Sequence, residues 1–191
     1  MLVIWFALMN KLLTWDNLEK RGCIGPRICA ICKMGADSVQ QLFFHCIIWK
    51  NVIDKIMDQY HMTITFQSDD LGRYLEKWTD YFSKNYALYH LPFLAMWVVW
   101  KARNISIFEG KIMTVTSIFH QITYFSQMYC PSVIKVKKSR SLGQGPVLMY
   151  PCGFFDGAYA KGVGGVGFCL MLSKSHSFEF ALGASNCTNT K

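Results

Sequence analysis

The chain has 191 residues, 52% of them hydrophobic, which is enough for one ordinary core or two small ones and too apolar for a disordered chain. Twenty Lys and Arg against twelve Asp and Glu leave a formal charge of +8, favouring polyanionic partners such as nucleic acid or an anionic membrane surface. Met1 to Met9 is apolar without a basic segment before it, and Leu91 to Trp100 is about half the roughly 20 residues that a spanning helix needs. The expectation is therefore an intracellular protein, nuclear or cytoplasmic and not secreted.

Four of the eight cysteines, Cys23, Cys29, Cys32 and Cys46, crowd the first quarter of the chain. Without a secretory signal such clustering points to metal before disulfides. Cys29 and Cys32 form a Cys-x-x-Cys pair, a spacing at which one tight turn aims two thiolates at one tetrahedral ion, and zinc is its natural occupant. His45 and Cys46 follow as candidate ligands; as neighbours on one helix their side chains diverge by about 100°, so both reaching one ion is not expected. The scattered cysteines read as buried residues, Cys169 in an apolar strand among them.

Ser38 stands three residues before Gln41, ahead of Leu42, Cys46, Trp49, Ile53, Met57 and Tyr60, which is a capping box opening a single helix from about Ser38 to Gln59. Thr63 to Tyr89 has weaker periodicity and reads as irregular or short helix. Pro92 opens a further helix through Phe93, Met96, Trp97, Trp100 and Phe108 towards Gly110, and Ile112, Val115, Phe119, Ile122 and Phe125 carry another that ends before Pro131. These two helices should pack together, with the aromatics at 97, 100, 119 and 125 as core rather than base-stacking platforms. Ser132 to Pro146 holds Lys135, Lys137, Lys138 and Arg140 among Ser and Gly without apolar period, a solvated linker whose cations can also touch phosphates.

After Pro151 the period changes to two. Phe154 and Asp156, then Val166, Phe168, Leu170 and Leu172, then Phe178, Phe180 and Leu182 predict a three-stranded antiparallel meander. Gly162, Gly164 and Gly167 satisfy Gly-x-Gly-x-x-Gly, but a strand follows instead of a helix, so no helix N-terminus receives a pyrophosphate and the glycines suit a hairpin turn. Asp156 ends its strand beside a Gly-Ala turn; Glu179 alternates with Phe178 and Phe180 and reads as a surface residue, as His176 reads as a turn residue.

Trp5-Phe6, Leu12-Leu13-Thr14, Leu18, Arg21-Gly22, Cys29-x-x-Cys32 and Asp37-Ser38-Val39 leading into Leu42-Phe43-Phe44-x-Cys46 together resemble the zinc-binding region that follows the reverse transcriptase in plant non-LTR retrotransposon polyproteins. In that family a histidine precedes the Leu-Phe-Phe run; here Gln41, a poor zinc ligand, stands there. The resemblance implies Cys29, Cys32 and Cys46 as ligands, with His45, Cys23 or water completing the site. Trp97-x-x-Trp100-Lys101-Ala102-Arg103-Asn104 with Ile107-Phe108 resembles the connecting segment of the same polyproteins. Phe154-Phe155-Asp156-Gly157-Ala158, Gly164-Gly165-Val166-Gly167, Ala181-Leu182-Gly183-Ala184 and Asn186-Cys187-Thr188-Asn189 resemble the start of their ribonuclease-H-like domain.

That resemblance implies two divalent ions, usually magnesium, held by several carboxylates that hydrolyse the RNA strand of an RNA-DNA hybrid. Asp156 matches the first carboxylate, the others lie beyond Lys191 in the family, and the expectation is a chain without hydrolytic activity. The whole reading is an α+β chain: a zinc-binding region at 1–60, a helical connecting region at 61–131, a basic linker at 132–150 and the opening of a ribonuclease-H-like domain at 151–191. Its expected function is to bind RNA, DNA or a hybrid as part of a retroelement polyprotein. The alternatives are a non-catalytic helical protein-interaction protein or a decayed element without a selected role.

Overall fold

The computed structural model describes residues 2–62, 70–82, 86–129, 151–160, 163–173 and 177–185, and its contacts divide the chain into two units, Met1–Lys135 and Val136–Lys191. The expected linker cations Lys135, Lys137, Lys138 and Arg140 lie outside the described residues, as does His176.

The first unit is helical. Its elements are α1 (Leu2–Leu8), α2 (Trp15–Glu19), a π turn at Gln41–His45, α3 (Ile47–Gln59), α4 (Leu71–Tyr81), α5 (Tyr86–Tyr89), α6 (Leu91–Phe108) and α7 (Val115–Tyr129). α6 lies at its centre: Leu91, Phe93, Ala95, Met96, Val98, Val99 and Ala102 are all buried. A helix that is apolar on more than one side needs neighbours on more than one side, and α6 has α1, α3 and α7 against it. The regions 1–60 and 61–131 therefore share one core.

α6 begins with Pro92 in its first turn, where a missing N–H costs nothing, and Gly110 follows its end with φ +67°. The expected pairing with α7 is present, Trp97 meeting Phe125 edge to face at 5.1 Å between ring centres. The aromatics at 97, 100, 119 and 125 are only half-buried; the innermost contacts of α7 come from Ile118 and Ile122.

Two expectations change. The stretch read as irregular or short helix contains α4, whose Asp70 caps the first turn by accepting from the Arg73 N–H at 2.8 Å and whose Leu71, Tyr74, Leu75 and Trp78 form a buried stripe. Between Ser38 and Gln59 there is no single helix. Ser38 caps as expected, its Oγ accepting from the Gln41 N–H at 3.0 Å, but the Cys46 N–H then bonds to the Gln41 carbonyl at 2.7 Å, five residues back, and Cys46 is extended at φ −67°, ψ 124°. One extra residue in the turn ends the first helix and lets Cys46 start α3 afresh.

The second unit carries a three-stranded antiparallel sheet, β1 (Cys152–Ala160), β2 (Val163–Met171) and β3 (Ser177–Ser185), in the order β1-β2-β3. Phe155 pairs with Phe168, and Phe168 in turn with Phe180. Asp156 is in mid-strand, opposite Gly167, so Asp156-Gly157-Ala158 is strand and no turn. Gly164 and Gly167 are likewise strand residues and not turn residues, Gly162 lies outside the described residues, and the strand that holds Gly164 and Gly167 offers a phosphate no helix end. Glu179 stands opposite Cys169. The side chains of Asp156 and Glu179 lie outside what the structure describes. No helix among the described residues is long and apolar enough to cross a membrane.

Candidate metal centre

Residues 27–37 fold back on themselves. Ile28 bridges Ala36 in antiparallel fashion, the Cys29 N–H donates to the Gly35 carbonyl at 3.0 Å, and the Asp37 N–H donates to the Arg27 carbonyl at 2.9 Å. The tip closes with the Lys33 N–H on the Cys29 carbonyl, and needs left-handed backbone at Lys33 (φ +56°) and Gly35 (φ +68°). Glycine suits that conformation, whereas a lysine pays for it sterically. Both cysteines of the Cys-x-x-Cys pair sit in this turn.

Cys46 comes to the turn from the junction between the π turn and α3. The Sγ atoms of Cys29, Cys32 and Cys46 all lie within 4.8 Å of one another. Zn–S bonds of about 2.3 Å in a tetrahedron set sulfurs roughly 3.8 Å apart, so the trio surrounds a zinc ion after contracting by about 1 Å at most. Cys29 and Cys46 are buried and Cys32 is half-buried. Three soft thiolates gathered at one point suit zinc better than a hard, oxygen-seeking cation, and the residues present fit the metal.

Two of the sulfurs already interact. The Cys46 S–H donates to Cys29, which outweighs burial and, with the Cys32 and Ile31 backbone N–H groups, brings the Cys29 thiol down to about 5. The same bond, reinforced by burial, pushes the Cys46 thiol up. A cation bound between the two sulfurs would take the place of the proton they share.

Gln41 ties the two sides of the site together. Its backbone carbonyl accepts from Cys46, while its side-chain Nε2 donates to the Met34 carbonyl at 2.9 Å and lies 3.8 Å from the Cys32 sulfur. Gly35 makes room for it, since a Cβ there would sit 2.8 Å from the Gln41 carboxamide. His45 ends the π turn with its side chain exposed, and neither it nor the exposed Cys23 joins the sulfur trio.

A buried ion pair fixes the base of the turn, and sequence reasoning assigned it no role. Asp37 and Arg103 are 1% and 2% exposed. Arg103 Nε donates to Asp37 Oδ1 at 2.9 Å and its second nitrogen binds Oδ2, a two-pronged contact that also places the guanidinium 4.7 Å from the Trp100 ring centre. Asp37 Oδ2 further accepts the Trp15 N–H at 2.9 Å, and Ser106 Oγ of α6 donates to the Ala30 carbonyl between the two turn cysteines. Such pairing meets the otherwise prohibitive cost of burying each charge alone. One signal was readable beforehand: Arg103 continues the Met96–Val99 spacing on the apolar side of α6.

No curated protein and no solved structure matches the chain. Residues 1–52, which supply all three sulfurs and Asp37 but not Arg103, match the family model described as zinc-binding in reverse transcriptase.

Proposed function

We propose that the first unit is a zinc-stabilised nucleic-acid-binding module of a retroelement-derived polyprotein, of the plant non-LTR type. The convergence of Cys29, Cys32 and Cys46 within 4.8 Å carries the reading. A metal there would hold the turn to the start of α3 and keep its outer surface in one shape. That surface is basic and apolar together: Arg21, Arg27 and Lys33 are exposed beside Ile24, Ile28 and Met34, with Arg27 also paired to Glu19. Cations of this kind attach to phosphates without reading sequence, while exposed aliphatic groups pack against bases.

The linker cations Lys135, Lys137, Lys138 and Arg140 extend the same attraction. We read the sheet as the opening of a ribonuclease-H-like domain, supported by the position of Asp156 on β1 and the glycine-rich β2. The function we assign to this chain is binding to RNA, DNA or their hybrid; Asp156 matches the first of the several carboxylates that hydrolysis by divalent ions uses.

The test is affinity for a short RNA-DNA hybrid against salt, with zinc-loaded and chelated full chain. Binding that weakens with salt, and weakens further on chelation, supports the module; Arg21→Ala and Lys33→Ala should each lower the logarithmic salt slope by about 1. Affinity indifferent to salt and chelation would refute it.

A further inference from the structure

We infer that Gln41 acts as a hydrogen-bond donor to the metal-bound sulfur of Cys32 and leaves the fourth coordination position open to a small exogenous ligand. The inference rests on the zinc reading above and goes beyond it in assigning the site an exchangeable position.

Three observations carry it. The Gln41 side chain is anchored by its Nε2 to the Met34 carbonyl at 2.9 Å, with the same nitrogen, not the carboxamide oxygen, towards Cys32 Sγ at 3.8 Å. An amide N–H has no lone pair to give a cation, but it can donate to a thiolate and so spread its charge. Second, the backbone leaves this side chain little choice: the Gln41 N–H is held by Ser38 and its carbonyl by Cys46, and Gly35 stands against its carboxamide. Third, His45 is exposed at the end of the π turn, while Cys46 alone turns inward at the extended residue that follows. Three sulfurs on one ion with a free position is the coordination of a zinc site that exchanges ligands, whereas structural sites are closed by four protein groups. Cys32 is also the least buried of the three sulfurs, which puts the open side of the site next to it.

Cobalt(II) in place of zinc reports on this directly, because its visible bands depend on the donor set. Full-length reduced chain is titrated with cobalt and then with imidazole. The open-site assignment expects thiolate-to-cobalt bands on loading and a saturable change of the d–d bands with imidazole in the wild type and in His45→Ala alike. Gln41→His should load with cobalt and no longer respond to imidazole, its own ring filling the position. Gln41→Ala should keep the imidazole response at unchanged imidazole affinity, with metal affinity lower by roughly 10–100-fold from the lost sulfur hydrogen bond.

A wild-type spectrum that ignores imidazole overturns the inference while leaving the zinc reading intact, and bands altered by His45→Ala before imidazole is added would name the ligand that fills the position. Imidazole binding more than about tenfold tighter in Gln41→Ala, a gap of roughly 1.4 kcal/mol, would show the Gln41 oxygen itself to be a ligand and overturn it too. Absence of cobalt bands in every variant overturns both readings together.

Discussion

The metal centre draws two sulfurs from a turn, a third from a helix junction, and its brace from Arg103, which meets Asp37 across 66 residues of sequence. In the β1-β2-β3 sheet, by contrast, every pairing joins strands adjacent in sequence, and Asp156 meets Gly167 across a single hairpin. The difference is one of what must be in place first. Hairpin pairing closes short loops at small entropic cost, while the Asp37–Arg103 brace closes a far longer one. The unit that builds the candidate metal centre is consequently larger than residues 1–52, because the counter-charge of its buried Asp37 lies in α6.

That contrast can be broken at several points. The largest effect belongs to the sulfurs: Cys46→Ser should lower zinc affinity by more than the roughly 100-fold that an outer partner commands, read by competition with a chromophoric chelator. Next comes the brace. Arg103→Ala leaves a buried carboxylate without its partner and should cost about 3–5 kcal/mol in urea unfolding, with zinc content falling although no metal ligand is touched. Were zinc affinity unchanged in that variant, residues 1–52 would be sufficient and the larger unit would be wrong.

In the sheet, Leu170 is fully buried on the central strand. Leu170→Ala should cost about 2–5 kcal/mol by leaving a cavity, with zinc stoichiometry unaltered; loss of zinc there would erase the distinction between the two regions. The smallest change is Gly25→Ala. A Cβ at that position would fall 2.1 Å from the Trp15 ring, and displacing the indole or the backbone at Gly25 should cost about 1–3 kcal/mol, measured as a lower melting temperature of the zinc-loaded chain.

Much of the local structure is legible in the sequence. Pro92 and Gly110 bound α6, Ser38 caps the turn it was expected to cap, and the alternation after Pro151 yields three strands. α4 was equally legible in principle through Asp70 and the Leu71–Tyr74–Leu75–Trp78 stripe, and was obscured by its polar interruptions. Asp156 was read correctly as a strand residue, but Gly157, Ala158 and Gly164 were read as turn because Asp-Gly and Gly-x-Gly are turn signals locally, while pairing along the whole register overrides them.

The sequence by itself determined the chemistry on offer: a Cys-x-x-Cys turn, a third cysteine nearby, and glutamine where the resembled family has histidine. Periodicity and spacing describe what a residue's near neighbours allow, so they could name those sulfurs without saying which way they face. Tertiary structure alone decided that Cys46 faces inward and His45 outward, because a single π-turn hydrogen bond shifts the helix start by one residue. It alone paired Asp37 with Arg103, because two charges so far apart in sequence find each other only when the core that buries both has formed.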